Sequence, residues 1–272
     1  MAANLMRAGY RVVGFDVLEK RRRAHRRAGG LVATTCADVG AAAGVVICSL
    51  PSSDALLRTA DTLVPAPPRI VVETSTLPID VKEVARKRLA ARGAVLLDCP
   101  LSGTGSQARV RDLVVYASGD RRAYRRVTPV LDAIARAHYH VGPFGNGSRT
   151  KFVANLLVAI HNVAAAEALV LAKKAGLDPK KTFEVLADGA GSSRMFQVRG
   201  PMMVKANYSN ALMKLEVWKK DMAIIADFAR NAGVGTPLFD RTVPLYTAAT
   251  RRRSNEDTAA VYRAVESLKR KA

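Results

Sequence analysis

Two residues four positions apart, Lys151 and Asn155, stand at the head of a long apolar stretch, KFVANLLVAIHNVAAAEALVLAKKAG. If that stretch is helical, the two share one face, and the pair has a definite chemistry. A lysine drawn towards neutrality by desolvation or a neighbouring cation can both give and take a proton. An asparagine amide brings two donors and an acceptor with which to orient a substrate or the lysine itself. The plain alternative for Lys151 is a surface lysine at a helix start, in a chain with 43 lysines and arginines. A second group, Ser102-Gly103-Thr104, joins a hydroxyl to loop amides, directional donors suited to a carboxylate. Other chemistry-bearing residues offer less. His161 lies on the apolar stretch and reads as a core or interface histidine. His138 and His140 alternate in HYHV without a nearby cysteine or acid, so no metal site is expected. Cys36, Cys48 and Cys99 lie far apart with no C-x-x-C pair, which argues against a disulfide framework or a thiolate metal centre and suits a reducing cytoplasm. Neither a Ser-His-Asp order nor an H-E-x-x-H helix supports a hydrolase.

The elements that must position these groups change character along the chain. Residues 11–16 (RVVGFD), 45–50 (VVICSL), 69–73 (RIVVE), 95–98 (VLLD) and 113–118 (LVVYAS) read as short strands, with amphipathic helices such as 19–28 and 81–92 between them. Strands separated by helices are the pattern of βαβ units and a parallel sheet. From Thr150 to about Ala175 runs a single helix closed by Gly176, and after it only helices are expected, at 182–186, 217–232 and 258–271. Trp218 is expected in their core. The Gly/Pro-rich GPFGNG at 142–147 marks the join, giving an α/β Rossmann-type domain over 1–144 and an all-α domain over 145–272. The long helix is apolar on nearly all sides, which points to burial between domains or subunits and to a homodimer or homotetramer.

The strand at 11–16 ends in Asp16, where a carboxylate accepts hydrogen bonds from the ribose 2′-hydroxyl of NAD and repels the 2′-phosphate of NADP; a plain strand-end or cap role is the alternative. A nicotinamide-binding sheet normally opens with a strand, G-x-G-x-x-G and a helix. This sequence starts within what reads as that helix, so the first strand and its glycine loop are missing from it. GTGSQA at 103–108 spells G-x-G-x-x-A, but the next strand begins five residues later. A parallel crossover needs at least about 10–12 residues, so this segment is expected to be a loop. GPFGNGS lacks the lysine of a P-loop. The net charge of +20 is concentrated in residues 20–27, 121–126, 251–253 and 269–271. Without aromatic interleaving, zinc-finger spacing or an RRM-type motif, it reads as solvated helix faces and a field for anionic substrates rather than a specific nucleic-acid surface. No uncharged apolar run of about 18 residues is present, and MAANLMRAGY has none of the features of a signal peptide, so a cytoplasmic protein without a membrane partner is expected.

Seven segments in order, AANLMRAGYRVVGFD, CSLPSSDAL, ETSTLP, LLDCPLSGTGSQA, GPFGNGSRTKFVAN, EALVLAKKAGLDP and WKKDMAIIADFA, together resemble the β-hydroxyacid dehydrogenase family, which includes 3-hydroxyisobutyrate dehydrogenase and tartronate semialdehyde reductase. The likeness runs from Met1 to about Leu268. It implies that Lys151 is the catalytic acid/base with Asn155 as its partner, and that Ser102, Gly103 and Thr104 grip the substrate. It further implies that Leu50, Pro51 and Thr76 line the cofactor groove and that Lys220 closes over the cofactor. The family's double glycine is Gly103-Thr104 here, and its Asn-Asn is Ala154-Asn155. The related 6-phosphogluconate dehydrogenases carry His-Asn there in much longer chains, so sugar-phosphate oxidation is not expected. Three readings follow. The first is an NAD-dependent dehydrogenase or aldehyde reductase for a small 3-hydroxy acid, with NADP open because Arg21–Arg23 are near. The second is a cofactor-deficient family member acting as a scaffold through its basic surface. The third is an enzyme whose true start lies about 15 residues earlier, the one that best reconciles the retained site residues with the absent glycine loop.

Overall fold

The computed structural model describes residues 1–63 and 69–268. Its contacts divide the chain into two units, Met1–Lys151 and Phe152–Ala272.

The first unit alternates helices and short strands: α1 (Ala2–Arg7), β1 (Val13–Gly14), α2 (Glu19–Arg27), β2 (Leu31–Val32), α3 (Cys36–Ala42), β3 (Val45–Cys48), α4 (Ser53–Thr62), β4 (Arg69–Glu73), α5 (Ile79–Ala90) and β5 (Ala94–Asp98). There follow β6 (Leu101–Ser102), α6 (Gly105–Arg109), β7 (Val114–Ala117), α7 (Arg121–Ile134), β8 (Ala137–His140) and the start of α8 (Asn146–Lys174). Side chains choose these boundaries. Thr35 and Asp38 form a reciprocal capping box on α3, Ser52 caps α4 and Asp120 caps α7, each satisfying amides that a helix start leaves open.

The strands pair as β1-β2, β3-β4-β5 and β6-β7-β8, all parallel except β6 against β7. Every residue of β4 is buried, as expected of a parallel strand covered on both faces. Alternate side chains feed two cores. Val46, Cys48, Val71 and Leu96 pack with Leu56, Ala60, Ala85 and Leu89 of α4 and α5. Ile70, Val72 and Leu97 pack with Val115, Val127, Leu131 and Ile134.

Three expectations change. The strand at 11–16 shrinks to Val13–Gly14, because among the described residues β1 has a ladder partner on one side only, β2. The segment expected to be a loop at 103–108 contains α6, started by a capping box between Thr104 and Gln107. The short link from β6 to β7 is feasible because they are antiparallel, which agrees with its not being a dinucleotide crossover. The long helix begins at Asn146, ahead of Thr150, since partners outside the helix satisfy its first amides.

The second unit is helical: the remainder of α8, then α9 (Pro179–Asp188), α10 (Arg194–Val204), α11 (Leu215–Asn231), α12 (Pro237–Arg252), a 3-10 turn at Thr258–Ala260 and α13 (Val261–Glu266). Asp178 caps α9 and Pro179 takes its first turn, so that helix is longer than the expected 182–186. Helices α10 and α12, which contain Pro201 and Pro244, were not among the expected helices; burial of Phe196, Met203, Phe239 and Tyr246 holds them. The helix expected over 258–271 is a 3-10 turn and then α13, and its end at 269–271 lies outside the described residues. Trp218 is buried edge-on against Tyr246, their ring centroids 5.9 Å apart.

By length and composition alone α8 is apolar enough to cross a membrane, where the sequence reading expected no such span. Within the helical unit its buried face carries Asn155 and Asn162, and the Asn162 amide donates to Tyr246 Oη and the Thr258 carbonyl. Polar groups paired in this way are those of a core helix. The opposite face keeps Val153, Leu157 and Leu171 exposed, so α8 is buried along one side rather than all round.

Candidate active site

Lys151 sits in the second turn of α8 and is buried, only 8% exposed. What holds it is the first turn. Asp98, the last residue of β5, accepts from the Ser148 amide at 2.8 Å and from Ser148 Oγ at 2.8 Å. Ser118 Oγ donates to Asp98 and accepts from the Gly147 amide at 2.9 Å. A carboxylate against the first amides of a helix is favoured by both the open donors and the macrodipole. Gly147 is there because the approach is close: a Cβ would lie 2.3 Å from the Tyr116 carbonyl and 2.6 Å from that of Asp98.

Asp98 is also one of three charged residues in a buried ion cluster. Lys82 Nζ lies 2.8 Å from Asp98 Oδ1 and 2.6 Å from Glu73 Oε2, and all three side chains are fully buried. Lys82 also donates to the Ser75 carbonyl at 2.7 Å. Burial pulls the lysine down, but Glu73 and Asp98 outweigh it and hold the ammonium above its ordinary value. Glu73 Oε1 accepts from the Ser75 amide, and Ser75 Oγ accepts from the Leu50 amide at 2.7 Å. None of these five residues, Glu73, Ser75, Lys82, Asp98 and Ser148, was singled out from the sequence. One signal was present: Lys82, Ala85 and Leu89 are the buried stripe of α5, so a lysine fills a core position.

The residues that resemblance assigns to the cofactor stand at the carboxyl ends of parallel strands. Asp16 follows β1, Leu50 and Pro51 follow β3, and Thr76 follows β4. In open α/β sheets this is the edge where ligands bind. The Asp16 carboxylate is engaged locally: it accepts from the Leu18 amide at 2.9 Å and pairs with Arg21 at 3.1 Å. Arg22 donates to the Asp16 carbonyl and lies over the Phe15 ring.

Ser102 ends β6, half-buried, and Gly103 follows at φ +131, where a Cβ would meet Leu113 Cδ2 at 2.7 Å. The Thr104 hydroxyl caps α6, so its side chain shapes this loop from within.

In the helical unit, Asn155 and Lys220 meet on one carboxylate. Asn155 Nδ2 donates to Asp221 Oδ2 at 3.2 Å, and Lys220 Nζ lies 2.8 Å from Asp221 Oδ1. Asp221, 3% exposed, was seen in sequence only as the neighbour of Lys220.

Other reactive side chains stay outside this arrangement. Burial pushes the thiols of Cys48 and Cys99 up, so they are not nucleophiles. His138 bridges Tyr124 Oη and Asp132, His140 meets the Gly119 carbonyl, and His161 is half-buried on α8. Among the described residues no group of His, Cys, Asp and Glu could hold a metal ion.

Both units of the chain are similar to known proteins. Residues 1–142 match the family model described as the NAD binding domain of 6-phosphogluconate dehydrogenase. Residues 145–265 match the one described as the NAD-binding domain of NADP-dependent 3-hydroxyisobutyrate dehydrogenase. The chain is 31% identical to an L-threonate dehydrogenase of Cupriavidus necator, over 96% of this chain and 90% of that protein. It is 30% identical to a probable 3-hydroxyisobutyrate dehydrogenase of Mycobacterium tuberculosis, over 96% and 92% of the two chains. Among solved structures, a 3-hydroxyisobutyrate dehydrogenase from Salmonella typhimurium superposes with a TM-score of 0.87 at 27% identity, covering 96% of this chain and 94% of that one. With residues 1–142 and 145–265 matched by two such models and 96% of the chain by a relative 31% identical to it, the chain belongs to the β-hydroxyacid dehydrogenase family of NAD(P)-dependent oxidoreductases.

Proposed function

We propose that this dehydrogenase interconverts a small 3-hydroxy acid and its semialdehyde or keto form, with Lys151 as the general acid/base. The observation that carries the proposal is a lysine and an asparagine one helical turn apart on α8, both buried, with Asn155 bonded to Asp221 and the turn ahead of Lys151 fixed by Asp98. A bound nicotinamide would supply hydride transfer with the carbinol carbon, as acceptor in oxidation and donor in reduction. In oxidation neutral Lys151 takes the hydroxyl proton; in reduction its ammonium protonates the forming alkoxide. The Asn155 amide, anchored by Asp221, orients substrate or lysine. Ser102 Oγ and the amides of Gly103 and Thr104 bind the carboxylate. Asp16, Leu50, Pro51, Thr76 and Lys220 hold the cofactor, with Asp16 favouring NAD over NADP. The protein works in the cytoplasm as a homodimer or homotetramer, without specific nucleic-acid or membrane partners.

The substrate panel follows from the relatives: L-threonate and 3-hydroxyisobutyrate, and L-serine, which is present in a mycobacterial 3-hydroxyisobutyrate dehydrogenase structure. The test is reduction of NAD+ or NADP+ with each acid, followed by absorbance. At least one acid should turn over, and Lys151→Ala should lower kcat by about 10²–10⁴-fold. A Lys151→Ala variant with undiminished kcat would overturn the role given to the lysine.

One observation favours the non-catalytic reading: among the described residues β1 pairs only with β2 and β3 only with β4, so no ladder joins β1 to β3. A fluorescence titration with NADH and NADPH decides it. Saturable binding supports the enzyme, and folded protein that binds neither supports the scaffold.

A further inference from the structure

The ion cluster around Lys82 touches every segment of the first unit to which a role in the reaction has been given except the one ending in Asp16. Through Ser75, Lys82 reaches the turn after β4 that carries Thr76 and, by the Ser75 hydroxyl, the Leu50 amide after β3. Through Asp98 it reaches the end of β5, four residues before Ser102, and the first turn of α8, three residues before Lys151. We propose that Lys82 and Asp98 are positioning residues: the buried cluster Glu73–Lys82–Asp98 clamps the Lys151-bearing turn of α8 to the strand ends that carry Leu50, Thr76 and Ser102.

This proposal rests on the role given above to Lys151. The physical argument is one of cost and direction. A lysine and two carboxylates with no solvent exposure would each be strongly unfavourable alone. An apolar α5 and an uncharged strand end would fill the same space without that desolvation. What the ionic arrangement adds is geometry. Each carboxylate oxygen is committed: Glu73 Oε1 to the Ser75 amide and Oε2 to Lys82, Asp98 Oδ1 to Lys82 and Ser148 Oγ, and Asp98 Oδ2 to the Ser148 amide and Ser118. With one cation against two carboxylates, the cluster carries a formal excess of one negative charge. That excess faces the first amides of α8, where a helix best accommodates it. The start of α8 is thus fixed in direction as well as position, and Lys151 with it.

Two variants separate positioning from folding. Asp98→Asn keeps the shape and removes the charge at the helix start. The double variant Lys82→Gln/Glu73→Gln keeps the net charge of the cluster and cuts its bridge to β4. Amide hydrogen exchange, read by mass spectrometry on the cofactor-free protein, should rise about tenfold or more at residues 147–152 in both, with other helices of the first unit within about twofold. In turnover with the best acid of the panel, kcat should fall about tenfold or more while the cofactor KM stays within about threefold. In a Lys151→Ala background the same substitutions should change the residual rate less than about twofold, because the positioned group is gone. Unchanged exchange at 147–152, a loss confined to KM, or a loss that multiplies that of Lys151→Ala would each overturn the proposal. The exchange measurement does not depend on activity, so an inactive wild-type protein would count against the dehydrogenase reading while the clamp was still tested.

Discussion

Lys82 and Asp16 are acid–base residues of opposite kinds, one sealed in the core and one at the rim of a strand end. Asp16 is two-thirds buried and already carries a positive partner in Arg21, so the selection against a 2′-phosphate proposed for it depends on which of the two charges faces the ribose. Asp16→Ser removes the carboxylate and releases Arg21. The ratio of kcat/KM for NADP+ over NAD+ should then rise at least about tenfold, or about 1.4 kcal/mol of discrimination; an unchanged ratio would remove Asp16 from cofactor selection. At this scale the sequence singles out residues by their own type and position, and the roles proposed for Lys151, Asn155 and Asp16 rest on that. It was not legible for residues whose role is a contact. Asp98 and Ser148 are 50 positions apart, and Asn155 and Asp221 are 66 apart. No local pattern encodes either pairing.

At the scale of elements, the start of α8 is where backbone packing is tightest. Gly147→Ala would drive a methyl group into two backbone carbonyls, which cannot rotate away as a side chain can. Overpacking of this kind costs about 1–3 kcal/mol. Chemical denaturation should show that loss, together with lower kcat as the first turn of α8 moves off Asp98; full stability would mean that the helix start has room to shift. Strands β3, β4, β5 and β7 were readable because short β-branched, apolar runs lie between helical segments, whereas the two-residue β2 and β6 were not expected. Nor were α10 and α12; each contains a proline, and the burial of Phe196 and Tyr246 that holds them is not visible in sequence. Likewise Thr104 read as a pocket residue, and its capping box shows that it also starts a helix.

At the scale of the molecule, two properties follow from the distribution of groups. Cys48 and Cys99 are raised by burial from an ordinary 9.0, and Tyr208 and Tyr246 are raised by burial from 10.0. Burial alone would lower Lys82, but its two carboxylates raise it from 10.5. Each group keeps its proton longer folded than unfolded, so each contribution is complete below the ordinary value and fades as pH rises towards the folded one. Thermal unfolding midpoints should therefore show no loss from these five groups up to about pH 9 and decline progressively above it. A decline beginning near neutrality would have to come from elsewhere. The second property is the outer face of α8, where Val153, Leu157 and Leu171 are exposed. Positions 153 and 171 are 18 residues apart, five whole turns at about 3.6 residues per turn, and so lie on one face. If that face meets a second copy, Leu157→Glu should shift sedimentation from oligomer to monomer at unchanged helix content; an unaltered oligomer would move the interface elsewhere.

The sequence by itself determined the two-part architecture, the family and the residue types available for proton transfer. Those follow from periodicity, composition and contiguous motifs, all of which are local along the chain. Only the tertiary structure decided that a lysine in the apolar stripe of α5 joins Glu73 and Asp98, that Asp98 holds the start of α8, and that Asp221 joins Asn155 to Lys220. The reason is physical: a buried charge is tolerated only where partners converge on it from distant parts of the chain. Which partners converge depends on the packing of whole elements, and no window of sequence contains that.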